Sequence, residues 1–144
     1  MPRLLLDTNA LIWFDTRKAM DQAALLAIAE AQTAGSLYVS PITVWEAALA
    51  AQKKNPARRP DLGGLDAATW FREARRRADA KLILIGSQIA LEAAQVPAVL
   101  GQGDPGDCFI VATARVKQLA VVTRDGTLEA LSAAQPDYLH VVPC

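Results

Sequence analysis

Short apolar runs separated by longer helix-like stretches dictate how this chain can fold. The runs are Leu4-Leu5-Leu6, Leu37-Tyr38-Val39, Leu82 to Ile85, Leu119 to Thr123 and His140 to Val142. The first has no polar alternation, as suits a strand buried on both faces. Between the runs lie helical segments: Asp21 to Ala34, Pro41 to about Lys54, Ala67 to Ala80, Ser87 to Gln95, and one opened by Asp104-Pro105 that reaches about Gln118. Asp21 and Gly35 suit the ends of the first, and Ser40-Pro41 opens the second. Asn55 to Gly64 and Gly101 to Gly106 read as loops, Pro97 as a helix stop, and Arg124-Asp125-Gly126 as a turn. Strands alternating with helices predict an α/β fold with a mainly parallel central sheet covered on both faces. The 144 residues fit one domain spanning 1–144.

In an open sheet of this kind, sites form outside the carboxyl ends of the strands. Asp7 directly follows the first strand. Asp125 lies just past Thr123, the end of another. Asp104 and Asp107 bracket the start of the helix before that strand, and Glu46 lies in the helix after the second strand. Each acid has a plainer reading. Asp7 and Asp104 suit N-caps, Asp107 a first-turn acid, Asp125 a turn residue, and Glu46 a solvated helix position. Their joint placement at one sheet edge is the argument for chemistry. Clustered carboxylates repel each other, and a divalent cation offsets that repulsion. Mg²⁺, or Mn²⁺, takes such hard oxygen ligands and activates water without a histidine base. Thr8, Asn9, Ser40 and Thr123 are polar neighbours of these acids, equally suited to caps and turns.

The remaining composition narrows the options. The single histidine, His140, excludes a His-rich zinc site. Cys108 and Cys144 form no metal motif and no disulfide framework, and Cys108 reads as a small buried apolar residue rather than a nucleophile. Fifteen basic residues balance fifteen acidic ones, which excludes a uniformly basic nucleic-acid binder. The balance is uneven along the chain. Lys53 to Lys81 holds nine bases against four acids. Arg72, Arg75 and Arg76 of this lobe, and Arg124, are therefore candidates for phosphate contact, against the alternative of a solvated face. Trp13, Trp45 and Trp70 sit at helical apolar spacings and read as core or subunit interface. The absence of any long apolar stretch, and the acid at position 7, predict a cytoplasmic protein with no membrane partner.

Four blocks, LLLDTNALIW, SPITVWEAA, GDPGDCFIVATA and LAVVTRD, together resemble the signature blocks of the PIN domain, most closely the VapC-type toxins of toxin–antitoxin pairs. They run from Leu4 to Asp125 in the family's order. The resemblance implies a three-layer α/β/α sandwich and an Mg²⁺-dependent endoribonuclease. By position it implies that Asp7, Asp104 and Asp107 hold the metal, with Glu46 and Asp125 completing the acidic pocket directly or through water. It further implies a homodimer, inhibition by a small cognate antitoxin, and operator DNA bound only through that antitoxin. Cys108 departs from the pattern, since many relatives carry Arg there.

Other classes fit less well. A haloacid-dehalogenase-type phosphatase needs a second Asp where this chain has Asn9. A receiver domain needs a phosphoacceptor Asp after the middle strand, which ends instead at Ser40. A catalytically silent binding module would have no need of the full set of acids.

Overall fold

The computed structural model describes residues 2–144. The elements in chain order are β1 (Leu4–Leu6), α1 (Thr8–Asp15), α2 (Gln22–Ala34), β2 (Leu37–Val39), α3 (Ile42–Ala51), α4 (Ala67–Arg77), β3 (Lys81–Leu82), α5 (Ser87–Leu100), α6 (Pro105–Lys117), β4 (Ala120–Thr123), α7 (Gly126–Ala134) and β5 (Val141–Pro143). The strands form one sheet in the order β3-β2-β1-β4-β5, and every neighbouring pair is parallel. The α/β three-layer architecture expected from the sequence is the one observed.

Three consecutive leucines can be buried because each face of β1 has its own core. Leu4 and Leu6 point with Leu37, Val39 and Val122 toward α1, α2, α3 and α4. Leu5 points with Val121 toward α5, α6 and α7. Alternate side chains leave opposite faces of a strand, so a run apolar at every position fits only a sheet covered twice.

The chain winds outward from β1 through β2 to β3, then returns to place β4 on the other side of β1. This reversal opens a crevice between the carboxyl ends of β1 and β4. The register pairs Leu6 with Val122. The Asp7 amide extends the ladder by donating to the Val122 carbonyl at 3.2 Å. The segments leaving β1 and β4 therefore wall the crevice.

Five local expectations need correction. First, α5 does not stop before Pro97 but runs through it to Leu100. Pro97 removes one helical donor, at a cost of ~3 kcal/mol. Burial of Ile89, Ala93 and Val96 in the core shared with α6 offsets this, at ~1.5–3 kcal/mol for each large aliphatic side chain. Gly101, at φ 78°, ends the helix. Second, the Asp125 turn opens a further helix, α7, which seats Leu128 and Leu131 in the core. Third, β3 pairs only through Lys81 and Leu82, because its partner β2 ends at Val39. Fourth, the Asp21 side chain makes no capping bond to α2. Fifth, of the two readings for Trp45, core or subunit interface, the core does not hold: α3 turns Thr43 and Ala47 inward and leaves Trp45, with Leu49, exposed.

Candidate active site

Asp7 leaves β1 in extended geometry and caps α1, its Oδ1 accepting from the Ala10 amide at 2.7 Å. Its other oxygen accepts from the Thr123 hydroxyl at the end of β4. That hydroxyl also accepts from the Asp125 amide at 3.0 Å. One side chain thus ties the first acid to the segment carrying the last. Asp125 caps α7 through Oδ1, which accepts from Thr127 and Leu128 amides at 2.8 and 3.1 Å. These caps use one oxygen of each carboxylate, so capping and site chemistry coexist in the same residues.

Glu46 reaches the same place from α3. Its Oε1 accepts from Thr8 Oγ1 at 2.6 Å, and Thr8 Oγ1 also lies 3.1 Å from Thr43 Oγ1. Asp107 stands in the first turn of α6, where Gln102 Nε2 donates to its Oδ2 at 3.1 Å. Asp104 caps that helix, its Oδ1 accepting from the amides of Gly106 at 2.9 Å and Asp107 at 3.4 Å.

Asp7, Glu46, Asp107 and Asp125 line one cleft of about 200 Å³, together with Thr8, Asn9, Trp13, Ile110 and Arg124. Asp104 lies outside it. It lines an adjoining groove of about 470 Å³ that shares Thr8, Asn9 and Glu46 with the cleft.

The electrostatics record the crowding. Burial, reinforced by Asp107 and Asp125, pushes the Asp7 carboxyl up to about 6 against the pull of its hydrogen bonds. Burial also lifts Asp107 to about 6, helped by Asp104, Asp125 and Glu46. Glu46 is raised by burial, then by Asp104 and Asp7. Loss of water disfavours the charged form, and neighbouring negative charge adds to it.

Other sequence candidates fall elsewhere. Ser40 is buried at the start of α3, its hydroxyl accepting from the Ile42 amide at 3.1 Å, and does not line the cleft. Arg76 pairs with Glu73 at 2.5 Å. Arg72, Arg75 and Arg76 line neither the cleft nor the groove. Arg124 does line the cleft, but it stacks 4.1 Å from the Trp13 ring centre and donates to the carbonyls of Cys144 and Ala19 at 2.6 and 2.9 Å. Cys108 is buried in the core beneath α6, and burial beside Asp107 raises its thiol.

Three residues of the site were not singled out by sequence reasoning. Thr43 and Gln102 carried no signal beyond ordinary helix and loop chemistry. Gly106 did: it stands between the acids of D-P-G-D, where a helix gains nothing from glycine.

The PIN domain family profile matches residues 4–133, and the chain belongs to the PIN domain family. Three solved structures share its fold along nearly their whole length. VapBC2 from Rickettsia felis, bound to a DNA fragment from its promoter, is 12% identical, with 98% of each chain covered and a TM-score of 0.65. FitAcB from Neisseria gonorrhoeae is 21% identical, with 96% of this chain and 95% of that chain covered and a TM-score of 0.57. A toxin–antitoxin complex from Klebsiella pneumoniae is 23% identical, with 96% and 95% covered and a TM-score of 0.56. No curated protein matches the chain by sequence.

Proposed function

We propose that this protein is a metal-dependent endoribonuclease and the toxin of a toxin–antitoxin pair. The observation that carries this reading is the cleft itself: four carboxylates from four separate segments share about 200 Å³. Membership of the PIN family and the folds of toxin–antitoxin proteins support it.

The residues fit a divalent cation in kind. The donors are carboxylate and hydroxyl oxygens, which suit Mg²⁺ and Mn²⁺. Among the described residues no group of three acids forms a ready cage, and Mg²⁺ ordinarily keeps several of its own waters. Burial first, and then neighbouring negative charge, lift Asp7 and Asp107, and a bound cation would favour their charged forms. Asp7 and Asp107 would hold the ion, with Asp104, Glu46 and Asp125 assisting directly or through water. When bound, it would supply Lewis-acid polarisation of a phosphodiester and a more acidic water.

The chain's own residues prepare that chemistry. Thr123 fixes one Asp7 oxygen, Thr8 orients Glu46, and Gln102 holds Asp107.

The antitoxin partner, operator DNA reached through it, and a homodimer belong to the same proposal. Leu84 and Leu91, left 71% and 69% exposed, offer apolar surface for self-association. A cytoplasmic location agrees with the finding that no helix among the described residues is long and apolar enough to cross a membrane. The test is cleavage of RNA by the purified chain in Mg²⁺ or Mn²⁺, with EDTA and Asp7→Asn as controls. If neither control slows cleavage, the reading is wrong.

A further inference from the structure

The groove beside the acidic cleft carries the opposite charge away from the acids. Trp45 and Leu49 stand on its α3 wall, 44% and 47% exposed. Its other wall is the segment between α3 and α4. There Asn55 caps a short 3-10 turn, Pro56–Arg58, by accepting from the Ala57 amide at 3.0 Å. Arg59 Nε donates to the Lys53 carbonyl at 2.8 Å. These bonds hold Lys53, Arg58 and Arg59 along the groove. None of the three has a carboxylate partner among the described residues, whereas Arg76 and Arg77 of α4 are both paired.

We propose that this groove binds single-stranded RNA on one side of the bond to be cut, with Trp45 as a stacking platform for a base and Arg58 and Arg59 as phosphate contacts. The inference rests on the nuclease reading and adds to it the path of the substrate and the residues of this chain that grip it. A cluster of acids repels a polyanion, so the strand must be gripped by cations that the acids do not neutralise. Lys53, Arg58 and Arg59, lining the groove that also reaches Glu46 and Asp104 and held in no ion pair among the described residues, meet that need. An exposed indole beside them is the recurring partner of unpaired bases, because every base offers a π-face once it is unstacked. Charge selects the occupant: a purely apolar helix would leave the three cations uncompensated at the rim.

The experiment measures binding and cutting separately. Binding of a short, unstructured oligoribonucleotide is followed by fluorescence anisotropy in the Asp7→Asn chain, which keeps the RNA intact. Adding Trp45→Ala is expected to raise Kd roughly five- to hundredfold, the range for loss of one stacked base. Adding Arg58→Ala with Arg59→Ala should reduce the slope of log Kd against log salt by about 1.4, since each phosphate neutralised on a single strand contributes about 0.7. Arg72→Ala with Arg75→Ala should do neither, and a blunt RNA duplex should be indifferent to Trp45→Ala. Unchanged affinity and slope in the groove variants overturn the proposal, as does equal weakening on the duplex. A Trp45→Ala chain that sediments differently while binding RNA unchanged assigns this face to a second copy of the chain, and also overturns it. Binding that depends on Trp45 without any cutting by the unsubstituted chain keeps the groove and removes the nuclease reading. Cutting that ignores Trp45, Arg58 and Arg59 does the reverse.

Discussion

The carboxylate of Glu46 fills the space where a side chain at residue 106 would begin. A Cβ on Gly106 would fall 2.5 Å from Glu46 Cδ and 3.0 Å from its Oε1, and closer still to Oε2. The glycine in D-P-G-D therefore lets an acid from α3 lie flush against the first turn of α6. Gly106→Ala should displace Glu46 at little cost in stability, because the atoms it meets are the end of a flexible side chain. Alanine also favours the helix by ~0.5–1 kcal/mol. RNA cleavage is expected to fall at least about tenfold, the scale on which active sites respond to misplacement. Unfolding should shift by less than about 1 kcal/mol, given the offsetting helix gain. Shortening the acid, with Glu46→Asp in the Gly106→Ala chain, should recover part of the rate. Steady-state kinetics and denaturant melts of the three chains check this.

Asp7→Asn should stabilise the metal-free protein at pH 7.5 while abolishing cleavage. The Asp7 carboxyl sits at about 6 in the fold, against ~3.9 in an unfolded chain. A raised carboxyl contributes stability that is fully present below about pH 4 and lost as pH rises through about 6. Asparagine stays neutral and loses nothing over that window. The gain at pH 7.5 should be on the order of 2–3 kcal/mol, at 1.36 kcal/mol per pKa unit. Thermal melts in EDTA at pH 4 and pH 7.5 test it: the two chains should converge at the lower pH and separate at the higher.

Adding Mg²⁺ or Mn²⁺ at pH 7.5 should raise the melting temperature of the unsubstituted chain and leave Asp7→Asn nearly unmoved. A ligand at free concentration L that binds only the folded chain stabilises it by RT ln(1 + L/Kd), ~2.7 kcal/mol at a hundredfold excess over Kd. A metal titration followed by melting reads this without reference to RNA cutting.

Thr123→Val keeps the shape at the end of β4 but removes a hydroxyl that donates to Asp7 and accepts from the Asp125 amide. Loss of such supporting partners typically costs about 10–100-fold in activity or metal affinity, the range expected here. The orphaned amide adds roughly 1–3 kcal/mol of destabilisation. Thr123→Ser should preserve both quantities, which cleavage assays and melts would show.

Cys108→Ala should leave cleavage within about twofold and cost roughly 1 kcal/mol in stability, as for a small loss of core volume. The thiol is buried, and its neighbours Asp107 and Asp104 raise its pKa further. Alkylation of the folded protein should accordingly be slow, as mass spectrometry after iodoacetamide treatment can establish.

The sequence carried the sheet and its acid-bearing edge well, because both depend on local pattern. LLL ending in Asp7 and LAVVT followed by R-D each state a buried strand and its exit. The missed parts depend on tertiary packing. Pro97 reads as a stop in isolation, and only the apolar face shared with α6 carries the helix past it. Helix α7 hides behind a turn dipeptide, although Leu128 and Leu131 have helical spacing. The α4 arginines stood out as a charge run. Lys53, Arg58 and Arg59 belong to the same basic stretch, but only the fold lines them along the groove that reaches Glu46.

β1 lies between β2 and β4, and the Thr123 hydroxyl that secures Asp7 lies 116 residues away in sequence. Without β4, one edge of β1 has no partner. Asp7 and Asp125 meet only when β4 pairs with β1. A chain cut short before β4 therefore lacks the strand pairing that brings the fourth carboxylate to the other three, and the cleft exists only once the two distant segments have met.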